Sequence, residues 1–429
     1  MTSPVSSLAS APTAPAVSTA RRYYTLILLT LIYGLNFLDR TIFNVLIEPI
    51  KKEFALSDTM IGLLAGFGFV LLYSALGMPI ARFADRANRR NIVTAGLALW
   101  SAMTALCGMA QNTVMLAISR VGVGVGEAAG TPASQAIVSD LFSKEERPRA
   151  LGIYAVGTYL GVFLGYFFGG WMSHFYGWRA AFIGAGLPGL ILAVVLLLTV
   201  REPARSTAAR VSAPLGESLA FLASQKTYII VLIGFCITSF TNYATSVWIP
   251  PFLARVHHLS PADVGTYAGT FKGLFGIAGT LTGGFVTTQL TKRDDRWLLW
   301  APAIMSGLAG PIFALCMLTT SFPVMLAAMG AFSFCVGFHL GPVFSVAQTV
   351  ARPSVRAFAA ASLLLTATLF GQGVGPLVVG ALNDLWKATY GVDAIRYSLL
   401  SAAVTSTLGA AIFLIATPFI RKEIARAAE

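Results

Sequence analysis

Twelve stretches of about 20 predominantly apolar residues, the length that crosses a bilayer, run from residue 23 to residue 419. They lack the polar stripe that a surface helix shows every 3.6 residues, so no water-soluble core accounts for them. In hydrocarbon a backbone has to satisfy its own hydrogen bonds, which makes each stretch helical. The spans fall near 23–47, 59–81, 91–110, 113–138, 150–171, 180–200, 227–252, 264–289, 297–318, 323–350, 357–383 and 396–419. The chain has 429 residues, 56% apolar and 11% charged, a composition that excludes the two or three soluble domains its length would allow. An all-α integral membrane protein of twelve transmembrane helices is expected.

The 30 Lys and Arg against 18 Asp and Glu would suit a nucleic-acid partner, but their placement points elsewhere. Twenty-one basic residues fall on the side of the termini, six on the opposite side and three inside the spans. That bias places both termini in the cytoplasm of a cell (inner) membrane, with membrane lipids as neighbours and no nucleic acid. Cys107, Cys236, Cys316 and Cys335 all lie within spans at spacings that suit neither a disulfide framework nor a metal site. Residues 1–20, rich in Ser, Ala, Pro and Thr, read as a disordered N-terminus rather than a signal peptide.

The largest polar interruption, residues 201–226, divides the spans six and six. The expected organisation is a six-helix bundle over 21–200, a cytoplasmic linker over 201–226, a second bundle over 227–420 and a tail over 421–429. The halves echo each other. Gly157, Gly161, Gly165 and Gly169-Gly170 in the fifth span match Gly371, Gly375-Pro376 and Gly380 in the eleventh, a spacing that lets helices pack closely. After the second span comes Ala84-Asp85-Arg86 with Arg89-Arg90, and a reduced copy follows the eighth.

These features resemble the major facilitator superfamily, whose two six-helix bundles are related by a pseudo-two-fold axis. The loop resembles its G-x-L-A-D-R-x-G-R-[RK] motif, with Ala81, Phe83 and Asn88 replacing Gly, Leu and Gly. The resemblance implies that Asp85, with Arg86, Arg89 and Arg90, latches one half to the other. A positively charged loop is the plainer reading. Asn88 is expected to hold a left-handed turn in place of glycine. Gly161-x3-Gly165-Tyr166-x2-Gly169-Gly170 resembles the antiporter-associated motif, but Tyr166 stands in the position of its proline. Helix packing follows from that run; antiport does not.

Charges inside spans cost about 2.5–3.5 kcal/mol or more each and mark function by default. The first span carries Asp39-Arg40, the fourth Arg120 and Glu127, the eighth Lys272. Seven residues put Arg120 and Glu127 on one helical face about 10 Å apart. Asp39 and Glu127 are candidate proton carriers. Asp39/Arg120 or Glu127/Arg40 as fixed ion pairs is the structural alternative. Arg40 and Arg120 suit an anionic head group through the planar guanidinium fork. Lys272, His339, Asn242 and Tyr243, with Thr245, are further candidates to line a substrate cavity. Glu48, Lys51 and Lys52 read as a solvated loop.

Asn36-Phe37-Leu38-Asp39-Arg40, the Gly122-x-Gly124-x-Gly126-Glu127-Ala128 run and Gly177-Trp178-Arg179-x2-Phe182 resemble the spinster-like branch. Relatives there move sphingosine-1-phosphate or lysophospholipids. The resemblance implies proton-linked Asp39 and Glu127, with Arg120 at the head group. The anion:cation symporter branch shares the N-x-x-D-R pattern, so a proton-coupled carrier of small organic acids such as sugar acids is the alternative. The expected protein is thus a monomeric, proton-coupled secondary transporter of an amphipathic anion, with no cofactor. Scattered histidines give an enzyme no nucleophile-base pair or metal cluster, and no G-x-x-x-x-G-K-[ST] loop supports a nucleotide-driven pump.

Overall fold

A computed structural model describes residues 18–84, 87–143, 146–203 and 214–428. Most of the 1–20 segment, Asp85 and Arg86 of the second-span loop, and 204–213 of the linker lie outside the described residues. Hydropathy and length pick out eight helical stretches, of which Arg149–Thr199 and Phe358–Ala416 each hold two spans. The charged fourth span (Thr113–Leu141) and the interrupted eighth (Pro261–Ala268, Gly269–Leu274 and Phe275–Thr291) complete the twelve.

Caps rather than loops set several span ends. Ser18, Ser57, Asn112 and Ser260 each accept a backbone N–H in the first turn of the helix that follows. Asn88 corrects an expectation. Its backbone is extended (φ −68°, ψ 112°), and its side chain accepts from the Asn91 N–H at 3.0 Å. It starts the third span (Arg89–Gly108) instead of making a left-handed turn, since asparagine is an effective N-cap.

The fifth and sixth spans form one helical stretch, Arg147–Thr199, broken at Gly177, whose φ of +83° and ψ of 163° only glycine adopts readily. A Cβ there would meet no atom within 4 Å, so only the backbone demands glycine. Gly177→Ala is therefore expected to destabilise by about 1–3 kcal/mol, read as a lower Tm with unchanged helix content. The first helical turn beyond the kink grips the short helix Ile47–Phe54: Trp178 Nε1 and Arg179 Nη1 donate to Glu53 Oε2 at 2.8 and 2.6 Å. The hydrogen bond from Arg179, then that from Trp178, holds the Glu53 carboxyl below the usual glutamate range. Its stabilisation is present above the unfolded-state value and lost as pH falls through the lowered one. The Tm deficit of Glu53→Gln should thus be present at neutral pH and vanish in acid; a deficit independent of pH would remove the carboxylate from the explanation.

Glycines set the helix crossings. A Cβ on Gly161 would lie 2.1 Å from the Gly34 carbonyl oxygen, and one on Gly165 2.9 Å from that of Leu38, so the fifth span lies directly on the first (Thr19–Val45). Gly371 and Gly375 place the eleventh span against the seventh in the same way, at Ser239 and the Phe240 carbonyl. The Pro376 carbonyl receives Trp248 Nε1 at 2.9 Å. Among the described residues three spans carry a π-helical turn: Leu63–Phe67 in the second, Gly269–Leu274 in the eighth, Leu369–Val374 in the eleventh. Such turns insert a residue and re-aim side chains, and they gather at functional sites.

Candidate functional site

The glycine run of the fourth span explains how two of the charges reach the centre. Cβ atoms on Gly124 and Gly126 would come within 2.9 Å of the Phe69 carbonyl and 2.7 Å of the Trp100 nitrogen. The fourth span therefore sits tightly against the second and third, with Arg120 and Glu127 facing the first. Glu127 is 0% and Asp39 1% exposed. Arg40 Nε donates to Glu127 Oε2 at 2.6 Å, and its guanidinium lies among the rings of Phe37, Phe69 and Tyr73, 4.7–5.4 Å from their centroids.

Of the two pairings open in the sequence, Arg40/Glu127 is formed. Arg120 does not reach the Asp39 carboxylate; its Nη1 donates to the Asp39 backbone oxygen at 3.4 Å, with Phe43 and Phe69 against the guanidinium. One oxygen of each acid, Asp39 Oδ1 and Glu127 Oε1, has no hydrogen-bond partner among the described residues.

Between the halves lies a cavity of about 400 Å³. Arg40, Arg120, Lys272, His339, Asn242 and Tyr243 all line it, as does Thr245. Asp39 and Glu127 stand behind this wall. Lys272, on the π-turn of the eighth span, donates to the Asn242 carbonyl at 3.2 Å and Thr245 Oγ1 at 3.4 Å. His339 packs its ring edge-on to Phe235. Sequence reasoning missed the aromatic lining of Tyr33, Tyr159, Phe332 and Phe344, and the polar Ser239, Ser333 and Gln372. Apolar and hydroxyl residues are ordinary in any span, so only their convergence marks them.

The seam opposite the termini is closed by charges that the sequence left unread. Arg255, ending the seventh span (Lys226–Val256), donates Nη1 and Nη2 to Asp58 at 2.5 and 2.9 Å and Nε to Glu48 at 2.8 Å. Lys51 also pairs with Asp58. Asp384 of the eleventh span accepts the backbone N–H groups of Asp58 and Thr59 at 3.0 and 2.7 Å. Glu48 and Lys51 are thus not a solvated loop but half of a bridge between the bundles; Lys52 is exposed.

At the terminus face, the ties among the described residues stay within one half. Arg22 bonds Glu146, Arg89 pairs with Asp140, and Glu202 accepts the backbone N–H groups of Arg89 and Arg90. Glu423 accepts those of Lys226 and Thr227. Arg89 and Arg90 accordingly bind their own half in this state, and the proposed latch partners Asp85 and Arg86 lie outside the described residues. The molecule is held shut on the face away from the termini.

Two six-helix halves around a central cavity, closed at one face, define a membrane transporter of the alternating-access kind. Comparison with known sequences gives the family: residues 29–376 match the model of the Major Facilitator Superfamily, and the chain belongs to it. It is 34% identical to an MFS-type efflux pump of Mycolicibacterium smegmatis over 92% of both chains. Identity to protein spinster homolog 1 of Xenopus laevis is 26%, over 95% of this chain and 82% of that one. The crystal structure of a bacterial homolog of the human lysosomal transporter Spinster, inward-facing and unoccupied, superposes with a TM-score of 0.87 at 29% identity, over 95% of this chain and 99% of the other. The last two likenesses place the chain with the spinster-like branch.

Proposed function

We propose that the protein is a proton-coupled secondary transporter of an amphipathic anion, of the lysophospholipid or sphingosine-phosphate kind. The carrying observation is the Arg40–Glu127 pair, its arginine at the wall and its carboxylate behind it, in a cavity where Phe and Tyr rings and aliphatic side chains alternate with hydroxyl and amide groups. Arg40, Arg120 and Lys272 give the cavity the positive charge that draws in a negative head group, and the rings of Tyr33, Phe37, Phe235 and Phe332 give an apolar body its surface. A proton delivered to Glu127 releases Arg40 from its partner, while Asp39, buried beside Trp100 and Thr104, is the second carrier. Termini in the cytoplasm, as the basic loops suggest, make the present state inward-facing. The chain acts as a monomer in this reading.

Small organic acids are the second reading. Asn242, Gln372, Ser239 and Ser333 of the C-terminal half line the cavity and would suit a hydroxylated acid. The deciding experiment is flux in proteoliposomes under imposed pH gradients, with labelled lysophospholipid or sphingosine phosphate beside a labelled sugar acid. Lipid flux that follows the gradient supports the first reading; sugar-acid flux alone moves the protein to the second.

A further inference from the structure

The buried charges of the cavity do not balance. Arg40, Arg120 and Lys272 face two carboxylates, Asp39 and Glu127, so the fully ionised set carries one excess positive charge. Every proton taken up by an acid enlarges that excess. An uncompensated charge in a low dielectric is costly, so the occupied cavity calls for an anion. Which base meets it follows from what each already holds.

Arg40 is committed to Glu127 and enclosed by three rings. Arg120 is 3% exposed, bonded to a backbone carbonyl, with two aromatic rings against it. Lys272 has only neutral oxygens, Asn242 O and Thr245 Oγ1, and no carboxylate within ion-pair distance among the described residues. An ammonium has three donors; two are used. The π-turn Gly269–Leu274 presents this lysine. Gly269 and Gly273 flank it, packed against the fifth span at Phe163 and Tyr166, so the turn itself sits on the seam between the halves.

We propose that Lys272 anchors the substrate's anionic group, so that the head group docks on the C-terminal half while the Arg40–Glu127 pair stays intact during loading. This rests on the transporter reading above and deepens it. The group is a single oxyanion, phosphate or carboxylate, on a molecule whose apolar part lies along the aromatic lining. Loading and proton release then occupy different halves: Lys272 holds the cargo, and the first and fourth spans hold the proton.

The test is equilibrium binding to the full chain in nanodiscs, with empty nanodiscs as the blank. The probes are palmitoyl-lysophosphatidate, palmitate, uncharged monopalmitoylglycerol and galactonate, each with wild type, Lys272→Met and Lys272→Arg. Lys272→Met should weaken the palmitoyl anions by at least about tenfold, the loss of a charge-assisted contact, and leave the glycerol ester unchanged. Lys272→Arg should restore most of the affinity. The phosphate and carboxylate arms show which oxyanion is preferred. Equal weakening of the charged and uncharged probes would make Lys272 a packing residue and overturn the proposal. So would wild-type binding that ignores charge, or no binding of any anion. Galactonate binding that depends on Lys272, without lipid binding, keeps the anchor and discards the amphipath.

Discussion

Glu127→Gln is expected to abolish accumulation driven by a pH gradient while leaving counterflow measured without a gradient largely intact. Glutamine keeps the shape and an acceptor oxygen for Arg40 Nε, now 2.6 Å from the carboxylate, but carries no exchangeable charge. The fold should survive, and with it the rocking of the halves. Arg40→Met is the harsher change. It leaves a fully buried carboxylate without its cation, and removing one member of a buried pair costs about 3–5 kcal/mol. Adding Glu127→Gln to Arg40→Met should recover much of that loss, a coupling read from Tm in a double-mutant cycle. Asp39→Asn should resemble Glu127→Gln in flux, without such a cycle, because Asp39 has no side-chain cation pair among the described residues. If both acid variants keep gradient-driven uptake, the pair only orients helices and the proton route lies elsewhere.

What was legible in the sequence follows from how unusual each residue is where it stands. A charge within a span stands out because hydrocarbon makes it costly, so Arg40, Arg120 and Lys272 could be singled out, and they line one cavity with His339, Asn242 and Tyr243. Which carboxylate meets which arginine was not legible. The choice of Arg40 for Glu127 depends on helix rotation, set by close approaches such as Gly126 on Trp100. The kink at Gly177 hid inside a loop expected over 172–179, and the π-turns hid in glycine-rich runs that hydropathy reads as ordinary span. Helices Ile47–Phe54 and Ile420–Ala428 are short amphipathic pieces and Leu215–Ser224 a short apolar one, all below the length that crosses a membrane. Arg255 and Asp384 were invisible for the opposite reason to the cavity charges. They stand at span ends, where charged residues are common, and their partners lie 197 and 326 positions away along the chain.

That seam yields the other large expected effect. Alternating access requires the halves to part where Arg255 holds Asp58 and Glu48, and where Asp384 caps the second span at Asp58 and Thr59. Asp58 is 3% exposed, so removing Arg255 takes the bidentate cation from a nearly buried carboxylate and leaves it Lys51. The double variant Arg255→Ala/Asp384→Asn removes both the charge bridge and the anionic helix cap, and should weaken the closed state by about 3–5 kcal/mol. Shifting a two-state equilibrium from 1:99 to 99:1 takes about 5.5 kcal/mol, so this change moves a minor population open at this face to a substantial one. Spin labels at Lys52 and Val392, exposed on that face, report it in a cysteine-free background. A second, longer distance should appear in the variant and be scarce in the parent, with flux slowed because the return to the closed state has lost its driving contacts. A single unchanged distance with a lower Tm would show that these charges stabilise the bundle ends without biasing which face is open.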